Sequence, residues 1–417
     1  VEPFTPAERY SHTSALVENK LYFLGGDGEF YSNEVFYLDL SQQFYAEYPS
    51  WTDLTANSGM SIKSSWAAAA LTINDNNPTV YLVGGIMYNQ NNEDSFTSLV
   101  YAFIPKSGQW NKPVIKGTEP ARRRQFQIAA DDFGNIYVFG GGADKYVGSQ
   151  NLQVFNDMAI LNTADLTWSY GPIVNAPSPR GGHSATLISN GVIVYIGGSE
   201  FVNNIFHEVD SNQIYLYDTK LASWSFVQAK SDSLIESRVS HSAVLAPDGR
   251  IIVYGGGTNN YVKVTPNLAI LDIHKTPFVW SVPEVSSNVG EVPSLVFHTA
   301  NLYGNYMIVA FGNITRPNVK SFGTSSKIYL LDIRNYTWVN RFELDITPSN
   351  NSIPKSPLTP PTIADQSDQL NKMKVIIGVL SGIFGTAIFI TVGIFSYKWY
   401  QKINQHDKIM RIPGNAI

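Results

Sequence analysis

Metal ligation and acid–base catalysis would fall to seven histidines and the carboxylates, because this chain of 417 residues contains no cysteine. Disulfides, thiolate metal sites and cysteine nucleophiles are excluded with it. His12, His183, His241 and His298 recur at one position of an internal repeat. Equivalent positions on separate repeats stand too far apart to share an ion held at about 2 Å. These four are therefore expected to hydrogen-bond within or between repeats. His207, His274 and His406 have no paired spacing, and no G-x-S-x-G, H-E-x-x-H or P-loop pattern occurs. Glu93-Asp94 and Glu208 with Asp210 fall in predicted loops. A glycosidase needs two carboxylates facing each other across the bond it cleaves, an arrangement the sequence neither shows nor excludes. The chain is expected not to be an enzyme, with no catalytic residue, metal or cofactor. A net charge of −5 also argues against nucleic acid as a partner, and Arg122-Arg123-Arg124 reads as an isolated, solvated loop cluster.

The elements that carry these side chains repeat. Glycine pairs follow apolar runs at Gly25-Gly26, Gly84-Gly85, Gly140-Gly141, Gly197-Gly198 and Gly255-Gly256, with Gly312-Asn313 as a degenerate sixth copy. Their first glycines lie 59, 56, 57, 58 and 57 residues apart. Trp51, Trp110, Trp168, Trp224, Trp280 and Trp338 follow in phase. Upstream stand Arg9-x-x-His12, Arg180-x-x-His183 and Arg238-x-x-His241, with Lys63-x-x-Trp66 and Arg124-x-x-Gln127 in copies two and three and His298 alone in copy six. Asp39, Asp218, Asp272 and Asp332 close a strand before the tryptophan. Each copy reads as four short strands, rich in β-branched and aromatic residues and separated by turn residues. One such sheet cannot bury both of its faces, whereas six arranged radially can.

The doubled glycine, the spaced tryptophan and the Arg-x-x-His opening resemble kelch repeats of the galactose-oxidase-like central-domain superfamily. The resemblance implies an all-β, six-bladed kelch propeller over residues 1–345, with blades near 9–58, 59–117, 118–175, 176–232, 233–290 and 291–345. It implies no single activity, since a fold hosts many functions. Galactose oxidase is the enzymatic relative in view, and its copper site resembles a redox device built on a tyrosine linked to a cysteine. That link cannot form here.

After residue 345 the composition changes. Residues 346–374 are rich in Pro, Ser and Thr and read as an extended stalk. Residues 375–397 carry no charge and are long enough to span a bilayer as one helix. Lys398, Lys402, Lys408 and Arg411 outnumber Lys372 and Lys374 across it, which directs the tail 398–417 to the cytosol and the propeller to the lumen or cell surface. Val1 in place of methionine reads as a mature or trimmed N-terminus. The sequons at Asn313, Asn335 and Asn350 agree with a lumenal glycoprotein. Gly378-x-x-x-Gly382 offers a face for a helix homodimer. The whole resembles single-pass kelch proteins of fungal type, placed at the plasma membrane or an endomembrane.

Strand order gathers the opening segment of each copy and the loop after its glycine pair at one end, the mouth. Arg9, Lys63, Arg124, Arg180 and Arg238 are expected there with Tyr31, Tyr88, Tyr146, Phe201 and Tyr261. Basic and aromatic residues converging on a concave surface suit a protein or glycan ligand. The competing reading has the arginines bridging blades and the aromatics covering strand ends. The function expected is non-catalytic recognition from a membrane. The alternatives are a secretory-pathway carbohydrate-active enzyme and a tail-anchored cytosolic scaffold.

Overall fold

The computed structural model describes residues 4–74 and 76–344. Among them lie one short α-helix, Thr55–Ser58, and one 3-10 turn, Lys145–Val147; the rest is strand and loop. The fold is all-β and propeller-like. Six sheets of four or five strands follow one another along the described chain, antiparallel except for the short outer strands Lys230–Ser231 and Ser286–Ser287, which pair in parallel.

The fourth sheet shows how the sequence builds each unit. Its strands Ser184–Leu187, Val192–Ile196, Gln213–Asp218 and Ser223–Gln228 pair in chain order. Val192–Ile196 is apolar throughout and almost wholly buried, because sheets pack on both of its faces. The first strand instead alternates buried and half-buried residues, as its two faces meet different surroundings. The apolar core is divided accordingly. Val194 and Ile196 of the fourth sheet pack with Ile251 and Val253 of the fifth, and Leu21 and Phe23 of the first with Ile308 and Ala310 of the sixth. Trp168, Trp224, Trp280 and Trp338 are buried plates in these layers. Trp224 Nε1 donates to Pro172 O of the preceding copy at 3.0 Å.

Gly197 and Gly198 explain the glycine pair. Both have positive φ, and a Cβ on either would lie 2.6–2.8 Å from a backbone oxygen, that of Arg238 or Gly181. The second glycine then donates its N–H to the carbonyl of the next copy: Gly26 to Ser64, Gly85 to Arg123, Gly141 to Arg180, Gly198 to Arg238 and Gly256 to Leu295. Gly312 donates to Arg9, from the last copy back to the first. Each of these bonds is 2.8–2.9 Å long.

This ladder corrects the expected register in three copies. In copy six the pair is Phe311-Gly312, with φ of 57° and 90°, and not Gly312-Asn313. In copies two and three the counterparts of Arg9 are Ser64 and Arg123, not Lys63 and Arg124. The last described strand, Arg341–Phe342, pairs with Phe44–Tyr45 of the first copy, where Phe44 and Phe342 stack at 5.0 Å.

The stalk, the apolar segment 375–397 and the tail, with Gly378, Gly382, Asn350 and His406, lie outside the described residues. Among the described residues no helix is long and apolar enough to cross a membrane. Asn313 sits in a strand, 6% exposed, and accepts from Thr324 Oγ1 at 2.9 Å. No glycan fits there in this fold, contrary to the sequon reading. Asn335 lies in an exposed turn.

Candidate interaction surface

Six residues with positive φ, one per copy, mark the neck where the chain enters each first strand: Ser11, Trp66, Gln125, Gly182, Ser240 and Phe297. Their backbones bond head to tail. Trp66 N–H donates to Ser11 O, Gly182 to Gln125, Ser240 to Gly182, Phe297 to Ser240 and Ser11 to Phe297, at 2.7–3.2 Å. Left-handed backbone is uncommon for bulky residues. The repeat imposes it, and at two of the six positions the residue is nevertheless a large aromatic.

Below the neck the first strands line a cavity of about 210 Å³. His12, His183, His241 and His298 all reach it. Three of them bond a hydroxyl one residue beyond the histidine position of the preceding copy. His241 Nε2 meets Ser184 Oγ at 3.0 Å, His298 meets Ser242 Oγ at 2.8 Å and His12 meets Thr299 Oγ1 at 2.9 Å. His183 makes no such bond, because copy three carries Gln127 where the hydroxyl would be. Burial drives all four imidazoles far down from their ordinary range, His183 and His298 to about 3, and Arg9, Arg180 and Arg238 push His12, His183 and His241 further. All four are neutral, and His12, His241 and His298 crosslink neighbouring sheets. Ala67, Ala68 and Phe126 make the opposite wall apolar.

The expected arginines divide into two sets. Arg9, Arg180 and Arg238 are 1–3% exposed and turned into their own copy. Arg9 and Arg238 each donate Nη1 to the first glycine carbonyl of that copy, at 2.9 and 3.0 Å. Arg9 pairs with Glu34, Arg180 lies 3.7 Å from Glu200, and Arg238 donates to Pro266 O at 2.9 Å. Burial lowers the pKa of all three, that of Arg238 to about 10. They are clasps within a sheet, not groups presented at the mouth. Arg123 belongs with them: its Nη1 reaches Gly140 O at 3.1 Å and its fork grips Asp157 at 2.6 and 3.0 Å. Arg124, one residue on, points the other way. It is one-fifth exposed, bonds Asp144 through Nε at 3.1 Å, and lies 5.2 Å from the Trp66 ring and 5.6 Å from that of Tyr146. Lys63 donates to Asn92 at the surface.

The aromatic side chains form an arc across the mouth. Tyr31 meets Tyr88 at 4.7 Å in a tilted pair, and both, like Trp66, pack against the buried cluster of Ile86, Ala143, Val147 and Phe155. Trp66 meets Phe297 at 4.6 Å, and Phe297 meets Tyr261 at 4.8 Å. Gln125 Nε2 reaches Tyr261 OH at 3.4 Å, and Tyr10 bonds Asp27. Arg124 joins Tyr146, 43% exposed, to this arc. Phe201 lies apart, tilted against Phe206 at 4.7 Å in the hairpin Ser199–Val202 and Ile205–Glu208.

Trp66 and Phe297, which anchor the arc, are absent from the sequence-derived set. Their signal was an aromatic residue at the position where other copies hold Ser, Gln or Gly. Of the remaining polar groups, His207 is exposed in a hairpin strand, and His274 bonds Asp248 O at 2.9 Å. Glu93 bonds Asn89 at 2.7 Å, and Glu208 takes the Asn259 N–H at 2.6 Å. Among the described residues no three His, Asp or Glu side chains are grouped to hold a metal.

A family model described as the Attractin/LZTR1 beta-propeller matches residues 2–263. Acyl-CoA-binding domain-containing protein 4 of Arabidopsis thaliana is 26% identical over 336 residues, 76% of this chain and 46% of its own length. Kelch domain-containing protein 3 of Rattus norvegicus is 31% identical over 184 residues, 43% of this chain and 44% of its own. Its Homo sapiens namesake is 28% identical over 268 residues, 60% of this chain and 64% of its own. The chain thus spans about half the length of the curated relatives it matches. Among solved structures, that of YjhT superposes with a TM-score of 0.57 over 82% of this chain and 99% of its own, at 15% identity, a likeness of fold alone.

Proposed function

The chain belongs to the Attractin/LZTR1 β-propeller family, and from that premise we propose that it is a six-bladed, non-catalytic module that captures a protein partner at its mouth. Each sheet is read as one blade. The ladder of glycine N–H bonds, which returns from Gly312 to Arg9, and the pairing of Arg341–Phe342 with the first copy support a closed ring. Kelch-domain relatives favour protein interaction.

One observation carries the proposal. Trp66, Phe297 and Tyr261 hold left-handed backbone, a conformation that costs roughly 1–2 kcal/mol per residue, yet gather over the neck beside Arg124. Aromatic and arginine side chains clustered around a concavity are the composition of binding hot spots. With Arg9, Arg180 and Arg238 turned inward and Arg124 paired with Asp144, the expected basic cluster does not assemble at the mouth among the described residues, which disfavours a strongly anionic ligand. Half-exposed Tyr31, Tyr88 and Tyr146 also suit a sugar ring, which makes a glycan the alternative ligand. Anchoring rests on sequence: the uncharged residues 375–397 and the basic tail support a single-pass protein with a lumenal or extracellular propeller.

The test uses the full chain, cross-linked in its own cells. Wild type is compared with a mouth variant, Arg124→Ala with Tyr146→Ala, and a rear-face variant, Phe133→Ser with Leu221→Ser. Partners lost only with the mouth variant support the reading. Identical capture by all three, or loss only with the rear-face variant, overturns it. Glycan-array binding abolished by the mouth variant, without any protein partner, assigns a sugar instead.

A further inference from the structure

The neck is uneven. At five of its six left-handed positions the chain carries a side chain, and at the sixth it carries Gly182, preceded by Gly181. The backbone does not require glycine there, since Ser11, Trp66, Gln125, Ser240 and Phe297 hold the same conformation. Nor does packing require it. A Cβ on Gly182 would lie 3.5 Å from Ser240 N, an ordinary contact, and 3.3 Å from Val239 Cβ, a tight one that a shift of a few tenths of an ångström in that side chain relieves. What the missing side chain leaves is a slot of about 250 Å³ opening on the mouth.

Gly181 and Gly182 floor the slot. Tyr261 and Phe206 form one wall, and the Arg124–Asp144 pair forms another. Flat apolar walls over a backbone floor suit a planar side chain, which gains most from burial and from offset or edge contacts with other rings. The volume equals that of about eight waters at roughly 30 Å³ each, room for one large aromatic side chain. Charge adds a second feature. Arg124 is matched by Asp144, whereas exposed Glu208, whose Oε1 meets Asn259 N at the outer wall, is in none of the described ion pairs. An incoming cation meets an unneutralised carboxylate there.

We propose that this slot seats one aromatic side chain of a protein partner, with a lysine or arginine of the same segment against Glu208. The proposal rests on the mouth as the binding face and names the chemistry it takes. Ligand-observed NMR with the full chain tests it, using N-acetyl-tryptophanamide, N-acetyl-tyrosinamide, N-acetyl-leucinamide, N-acetyl-Trp-Lys-amide and methyl β-galactoside as probes. The aromatic amides should bind with dissociation constants near millimolar, at least ten-fold tighter than the leucine amide. The Trp-Lys probe should bind a further several-fold tighter. Gly182→Gln, which copies the residue of the third repeat, should fold normally and weaken the aromatic amides at least ten-fold. Phe206→Ala should weaken them without touching the neck, and Glu208→Gln should abolish only the lysine preference. Aromatic and leucine amides binding equally, unchanged binding in both Gly182→Gln and Phe206→Ala, or preferential binding of the galactoside in the slot overturns the proposal. A chain that ignores the amides yet loses its protein partners with the Arg124/Tyr146 variant refutes the slot and leaves the mouth standing.

Discussion

Acid should unfold this propeller through its four buried histidines. His12, His183, His241 and His298 are neutral in the fold, with pKa values held far below 6.5, and two of them are near 3. In the unfolded chain each returns to about 6.5. The unfolded state therefore binds more protons below pH 6.5, so the histidines' contribution is full above that pH and is lost as pH falls toward 3. Each histidine gives a slope approaching roughly 1.4 kcal/mol per pH unit, and four together approach about 5. Between pH 6.5 and 5 the summed loss is on the order of 7 kcal/mol, comparable with the 5–15 kcal/mol that holds a typical domain folded. Carboxylates add little in this window. Asp39, Asp248 and Asp332 have lowered values and act below pH 4, while half-buried Asp27 is raised and works in the opposite sense. Urea unfolding at half-unit steps from pH 5 to 8 reads the slope directly. His298→Gln, which can still bond Ser242, should lower the slope by the share of one histidine. A wild-type slope below about 1 kcal/mol per unit, or imidazole resonances of these residues titrating near pH 6.5, would refute the reasoning.

Arg238→Met should cost about 3 kcal/mol in urea unfolding, because it strips the buried Gly255 and Pro266 carbonyls of a charged donor. Arg124→Met, at the partly solvated mouth pair, should cost under about 1 kcal/mol; equal losses would contradict the division of the arginines into two sets. If the propeller is lumenal, N-glycosidase should shift gel mobility, Asn335→Gln should reduce the shift, and Asn313→Gln should leave it unchanged. Copper-loaded protein should release no hydrogen peroxide from galactose or primary alcohols above a free-copper control, since no cysteine exists to tune a tyrosine radical; release lost on mutating His207 or His274 would revive an enzyme.

The parts of this protein legible in its sequence are those that every copy needs for the same steric reason. Glycine before glycine is required where a Cβ would enter the next copy's carbonyl, so the pair recurs and betrays the repeat. The misread positions fall where a one-residue choice had no local arbiter. Arg122, Arg123 and Arg124 offer three neighbouring candidates for one clasp, and only the tertiary bond from Gly85 N to Arg123 O selects the middle one. A slip of one residue exchanges inside for outside on an extended chain. It assigned Arg124 to a set that is buried, and in copy six it passed over Phe311, which holds a glycine's place and packs against Phe23 and His12. The mouth was still less legible, because Trp66, Phe297 and Tyr261 come from three different copies and meet only when the first strands converge. The same comparison of copies separates scaffold from site. Residues that obey the repeat, such as Arg9, Arg238, His12, His241 and His298, are consumed in joining strands and sheets. Residues that depart from it, Trp66, Arg124, Gly182 and Phe297, lie together at one end, where no scaffold requirement explains them. Departure from a repeat at a position whose backbone is unchanged is thus the observation on which the proposed binding surface of this propeller rests.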